Sequence, residues 1–248
     1  MEATILGICP SAKVIHLTHE VTPFSILEGA RQMECVVSIP AAIHVCVVDP
    51  GVGGARRGIV IRAPRVGYLV GPDNGVLAAA LELVGGAEEV RSIDNQSLLR
   101  QPVSSTFHGR DIFASVAGHL CTGIPFRDIG ATLDLHSLVP APYGDAVLDA
   151  GGISAVVIHV NRYGNCILNV LEGELFNRAQ RCTRFVVSTE VDELGVATLV
   201  RSFCEVAAGD LLLYPDSYGR VGMALNLGDL AAKGHVQLGS RVLLTYGD

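Results

Sequence analysis

Over the first 140 residues, short apolar runs alternate with stretches of helical period. Lys13–Leu17 reads as a strand. Pro23 to about Ile39 reads as a helix, opened by Thr22 and Pro23 in N-cap and first-turn order. Ile43–Val48 is almost unbroken apolar sequence, the pattern of a strand buried on both faces of a parallel sheet. Gly58–Arg62 and Tyr68–Val70 predict two more strands, joined through Ala63, Pro64 and Arg65. Gly75–Leu83 predicts a helix ended by Gly85 and Gly86, and Arg110–Leu120 another, followed by Thr122 and Gly123. This alternation predicts a layered α/β domain over residues 1–140.

Beyond residue 140 the pattern changes. Pro140, Pro142 and Gly144 punctuate a turn-rich stretch, and residues 141–150 read as a linker. Short strands follow at regular spacing: Ile153–Val160, Cys166–Val170, Thr183–Val187, Ala197–Val200, Leu211–Leu213, Val221–Leu225 and Arg241–Leu244. Turn signals such as Tyr163-Gly164-Asn165 separate them. Regular strands without long helices predict a smaller C-terminal β-barrel over 151–248.

Composition narrows the function classes. A net charge of −7, without a Lys/Arg cluster, argues against nucleic acid as a partner and favours a small-molecule ligand. The seven cysteines are odd in number and form no C-x-x-C pair. That pattern points to reduced thiols in a cytoplasmic protein rather than a disulfide framework or zinc ribbon. No apolar run approaches the ~18 residues of a membrane span, and Met1-Glu2-Ala3-Thr4 lacks the basic start of a signal peptide.

Two segments carry candidate chemistry. In Val47–Arg57 an apolar strand ends in the Asp49 carboxylate, enters a glycine-rich loop and meets Arg56 and Arg57. Ligands of open α/β sheets bind at the carboxyl ends of strands, so Asp49 stands where a functional carboxylate would. It also stands where a turn cap neutralised by the arginines would. In Ser105–Asp111, His108 directly precedes a helix, whose dipole favours neutral imidazole able to accept a proton. The alternative is a structural cap. Gly71-Pro72-Asp73-Asn74-Gly75 reads as a turn and cap. His16-Leu17-Thr18-His19-Glu20 is neither H-E-x-x-H nor H-x-x-E-H, and no metal is expected.

Taken together, Ile8-Cys9-Pro10, Leu17–Phe24, Val48–Gly53, Gly71–Gly75, Thr106–Asp111, Arg162–Asn165 and Ser217–Gly219 resemble the S-adenosyl-L-methionine hydroxide adenosyltransferase family. Its members are adenosine-forming S-adenosylmethionine hydrolases, and fluorinase and chlorinase are relatives. The resemblance implies an α/β domain followed by a β-barrel. It further implies a homotrimer whose sites lie between the first domain of one subunit and the second of its neighbour. The family's Asp-Arg-His set, which positions and activates water, falls on Asp49, Arg56 and His108. Arg57 is the less favoured arginine, because the family's residue lies seven positions after the aspartate. Substrate contacts fall on Phe24, Gly109, Asn161, Asn165, Ser217, Tyr218 and Asn226. S-adenosylmethionine is then the substrate and no cofactor is needed.

The same residues argue against a halogenase, in which the aspartate and histidine positions are typically tyrosine and a non-basic residue and the arginine is absent. The chain also has only Ala63–Gly67 where fluorinase carries a long insertion. Two departures stand out. The family begins with a strand and a Thr-Asp-Phe-Gly-like loop ahead of the position of Met1, and Asn161 stands where an aspartate is usual. A trimer that binds S-adenosylmethionine or adenosine without turnover is the alternative reading.

Overall fold

The computed structural model describes residues 1–37, 42–178 and 183–247. The expected helix end at Ile39, and Cys182, lie outside them. Two compact units divide the chain, Met1–Pro142 and Tyr143–Asp248.

The first unit contains α1 (Glu2–Ile8), α2 (Ile26–Val36), β1 (Ala42–Val45), β2 (Gly58–Ala63), β3 (Gly67–Pro72), α3 (Ala78–Val84), β4 (Glu89–Ser92), α4 (Ala114–Cys121) and β5 (Thr132–Leu133). The sheet runs in the order β1-β3-β2-β4-β5. Alternation along the strands divides its core. Ile59, Ile61 and Leu69 pack with Met33 of α2 and Ala80 of α3 on one face. Val60 and Val70 pack with Phe113, Val116 and Leu120 on the other. Each such fully buried aliphatic or aromatic side chain stabilises the fold by ~1.5–3 kcal/mol.

Several expectations are corrected by the structure. The sheet is mixed: among the described residues β1–β3 alone is parallel, while β2–β3, β2–β4 and β4–β5 are antiparallel. The apolar run at 43–48 is shorter as a strand than expected and lies at the sheet edge, so its side chains, apart from the buried His44, are half-buried rather than sealed on both faces. Residues 13–17 form no strand: Ile15 and Leu17 are exposed, and among the described residues β1 pairs with β3 alone. Helix α2 starts later than Pro23, because Phe24 holds a positive φ of 68° and Ser25 is the cap, its Oγ accepting from Glu28 N at 3.3 Å.

The second unit contains β6 (Val147–Leu148), β7 (Gly152–Val160), β8 (Cys166–Leu171), α5 (Glu172–Arg178), β9 (Arg184–Thr189), β10 (Glu193–Leu199), β11 (Leu211–Pro215), β12 (Arg220–Leu225), α6 (Leu230–Lys233) and β13 (Arg241–Tyr246). The order β13-β9-β10-β11-β12-β8-β7 closes through β13–β7 pairing into a seven-stranded barrel. Closure leaves no free edge along the ring. Leu168, Phe185, Leu213 and Met223 fill it. Within residues 141–150, β6 pairs with the start of β7, and Tyr143 is buried with the Arg220 guanidinium 5.8 Å from its ring centroid.

Candidate active site

After β1 the chain runs through Val48 to Asp49, and Asn74 fixes its direction. The Asn74 Nδ2 donates to Val48 O at 2.8 Å while Oδ1 accepts from Val76 N at 3.2 Å. Arg56 then folds back on Asp49. Its Nε donates to Oδ1 at 2.9 Å and Oδ2 at 3.0 Å, and Nη2 also donates to Oδ2. Both side chains are nearly withdrawn from water, at 5% exposure for Asp49 and 11% for Arg56. The guanidinium lies 5.2 Å from the Phe113 ring centroid. A forked cation on a shielded carboxylate is a strong, geometrically fixed pair.

The loop between them carries Gly53 at φ 77°, and a Cβ there would lie 2.3 Å from the Ser105 carbonyl oxygen. Only glycine lets the two loops close on one another. That closure brings His108 to Arg56, with Nη2 2.7 Å from Nδ1. Guanidinium nitrogens only donate, so Nδ1 accepts and the neutral ring carries its proton on Nε2. The imidazole pKa lies below its ordinary value, first through burial and then through the Arg56 charge, against the opposing pull of Asp49 and Asp111. The direction matches the sequence reading, but its cause is burial and Arg56.

His108 leads into a π-helical turn over Gly109–Phe113 that continues as α4. Such wide turns recur at functional sites. Asp111, fully buried, accepts from Ser104 N at 2.8 Å and from Arg110 Nε at 2.6 Å and Nη2 at 2.9 Å. These donors hold its carboxyl well below the ordinary range, the Arg110 bonds foremost. Sequence reading gives Asp111 no role, although its place after His-Gly-Arg is visible. Arg57 faces elsewhere: it donates to Asp73 Oδ2 at 2.8 Å and to Ser137 Oγ at 3.1 Å, pinning the segment after β5.

Asp49 also borders a groove of about 780 Å³ lined by Phe24, His16, His44, Val47 and Cys121, whereas Arg56 and His108 do not line it. Phe24 is 78% exposed as well as left-handed, an arrangement with no packing benefit in this unit and one typical of ligand contacts. Gly109 is buried behind His108, with Met1 and Val47 against it. His16 Nδ1 lies 2.9 Å from His19 Nε2, yet among the described residues no group of three or more His, Cys, Asp or Glu is set to hold a metal.

In the barrel the candidate residues separate. Register places Cys166 opposite Met223 and Leu171 opposite Arg220. Asn161, Asn165 and Asn226 therefore gather at one end of β12, and Ser217 and Tyr218 lie at the other. Asn161 Oδ1 caps its own turn, accepting from Tyr163 N at 2.9 Å and Asn165 N at 3.1 Å. The Asn165 side chain bonds Tyr214, whose hydroxyl burial pushes up to about 12. Asn226 Nδ2 donates to Val206 O at 2.8 Å. Ser217 and Tyr218 are exposed in a turn capped by Asp216 Oδ1, which accepts from Tyr218 N at 2.8 Å. Near the asparagines stand two exposed side chains that sequence reading misses, Tyr163 (70% exposed) and Leu227 (90% exposed, φ 56°). The signal for Leu227 is its place between Asn226 and Gly228.

A mixed α/β unit with a shielded Asp-Arg-His cluster, followed by a closed barrel, defines a two-domain enzyme architecture. Residues 1–130 match the SAM hydroxide adenosyltransferase N-terminal domain and residues 155–243 the C-terminal domain. The chain belongs to the SAM hydroxide adenosyltransferase family. It is 40% identical over 239 residues to the (R)-S-adenosyl-L-methionine hydrolase of Salinispora tropica, covering 96% of this chain and 88% of that one. A fluorinase of Actinoplanes is 24% identical, with 97% and 90% covered. The crystal structure of an uncharacterized conserved protein from Thermotoga maritima aligns with TM-score 0.88 at 33% identity, covering 98% of this chain and 93% of that one.

Proposed function

We infer that the protein hydrolyses S-adenosyl-L-methionine to adenosine and L-methionine, with water attacking C5′ of the ribose. The Asp49–Arg56–His108 cluster carries this reading. Family membership and relatives named (R)-S-adenosyl-L-methionine hydrolase supply the substrate and the epimer at sulfur.

The sulfonium leaves C5′ as a neutral thioether and needs no acid. What the reaction lacks is an aligned oxygen nucleophile, and positioning one contributes several kcal/mol. Asp49 Oδ1 takes one donor from Arg56 against two on Oδ2, and so retains a lone pair for a proton of that water. His108 accepts from Arg56 at Nδ1 and offers Nε2–H to the water oxygen. This leaves an oxygen lone pair for C5′ and makes Asp49 the proton acceptor. His108 is then a donor that orients water rather than the base that the sequence suggested. Arg56 holds both partners and stays charged throughout. No cofactor takes part.

The reading extends to a cytoplasmic homotrimer with the substrate held between Phe24 of one subunit and the barrel of its neighbour. Exposed Phe24, Tyr163 and Leu227 support an assembly that covers them. Asn161, Asn165, Ser217, Tyr218 and Asn226 serve there as substrate contacts or as the turns that hold them. The fluorinase relatives do not favour halide transfer here, because a base and a bound water compete with any halide. Incubation with S-adenosylmethionine in chloride buffer, followed by chromatography, tests the reading. Equimolar adenosine and methionine is the expected result; 5′-chloro-5′-deoxyadenosine, or unchanged substrate, overturns it.

A further inference from the structure

Helices α1 and α4 lie side by side. Met1 packs on Gly109, Ile5 and Ile8 pack on Gly118, and Cys9 meets Cys121, each pair further from His108 than the last. A Cβ at Gly118 would sit 3.0 Å from Ile8 Cβ, so the two backbones are close. At the far end, the Cys9 and Cys121 sulfurs are 2.9 Å apart. Cys9 is buried and Cys121 exposed on the groove. Ser11 Oγ is a second neighbour of the Cys9 sulfur, at 3.6 Å.

We propose that Cys9 and Cys121 are an oxidant-sensitive dithiol that hydrogen peroxide converts to a disulfide, locking α1 onto α4. This proposal is independent of the hydrolase reading. Two thiols 2.9 Å apart need a shift of only about 1 Å to reach the roughly 2.05 Å of a disulfide. Peroxide transfers one oxygen to the accessible Cys121 sulfur, and its other oxygen leaves as water. The Cys9 sulfur then displaces the sulfenic oxygen as a second water, and the S–S bond forms. Two sulfurs are oxidised by one electron each and the O–O bond is reduced by two. The two thiol protons end in the two waters. The same contact holds the reduced Cys9 thiol below its ordinary range and the Cys121 thiol above it, so exposure rather than acidity selects Cys121 as the sulfur that meets peroxide. Cys204 is exposed but has no cysteine partner among the described residues, and Cys46 is half-buried with its thiol pushed up to about 12 by desolvation.

The test is a peroxide titration of the native protein, followed by alkylation in denaturant and peptide mass spectrometry. A Cys9–Cys121 bridged peptide is expected at doses that leave Cys204 alkylatable. Dithiothreitol should remove it, and the oxidised protein should melt at a higher temperature. Cys121→Ser, an exposed change, should abolish both the bridge and the rise in melting temperature; Cys9→Ser provides the second control. Oxidation of Cys204 with Cys9 and Cys121 still alkylatable, or their conversion to sulfinic acids without a bridge, would overturn the proposal. A bridge without a change in melting temperature would overturn the locking of α1.

Discussion

Arg56 Nη2 lies 2.7 Å from Nδ1 of His108, and this contact decides the tautomer of the imidazole. A proton added to Nδ1 would face the guanidinium, so the cationic ring is disfavoured in the folded protein. In the proposed mechanism the productive form is neutral, so activity is expected to fall as pH drops through the folded pKa. The acid limb of kcat/KM is expected to have its midpoint below the ordinary histidine value. Imidazole NMR should show the same midpoint. In Arg56→Gln it should move upward, since one of the two lowering causes is gone, while burial still holds it down. An unchanged or lower midpoint in that variant contradicts the assignment.

Asp49→Ala and His108→Ala each remove a group assigned to the water. Loss of a positioned proton acceptor or donor costs ~10²–10⁴-fold in rate. Adenosine formation should fall by at least that lower figure in each variant, with adenosine binding by calorimetry retained. With His108 proposed as a donor, His108→Gln should recover part of the loss through its amide N–H. Wild-type turnover in either alanine variant contradicts the roles of Asp49 and His108 at the water.

Gly53→Ala tests the closure of the two loops. The new methyl would meet the Ser105 carbonyl oxygen at 2.3 Å in a backbone region that alanine avoids, at a cost of about 1–3 kcal/mol. We expect a lower melting temperature and a fall in kcat larger than any rise in KM, since Arg56 and His108 are drawn apart. An unchanged kcat would show that loop closure does not set the geometry.

Asp111→Asn leaves shape but removes the charge that Arg110 and Ser104 N address. Its carboxyl pKa is depressed in the folded protein, so its stabilisation is present above the unfolded value near 4 and is lost as pH falls. The variant should be less stable by about 2 kcal/mol at neutral pH in urea denaturation, with the difference narrowing in acid. Equal gaps at pH 7 and pH 3 contradict the charge argument.

The barrel was legible because its strands recur at regular spacing, separated by turn residues such as Gly164 and Gly219. The local cluster residues were legible because Asp49 ends an apolar run and His108 precedes a helix. Much else depends on contacts that no local pattern encodes. Lys13–Leu17 has strand composition but no pairing partner among the described residues, so composition alone does not make it a strand. β4 (Glu89–Ser92) carries charges on its half-exposed side and escapes notice, though Val90 fills the core. Arg31 and Glu34 resemble a surface i,i+3 pair yet are buried at 3% and 0% exposure. Cys9 and Cys121 stand 112 residues apart. Asn161 and Asn165, read as substrate contacts, spend side-chain bonds on their own turn and on Tyr214.

In the proposed reaction, water held by Asp49 and His108 displaces methionine at C5′. Turnover of S-adenosylmethionine in ¹⁸O-enriched water, with mass spectrometry of both products, reports which atom the nucleophile delivers and where. One ¹⁸O is expected in the ribose 5′-hydroxyl of adenosine, with none incorporated into methionine by the reaction. Unlabelled adenosine, or a 5′-halogenated nucleoside in its place, would contradict it.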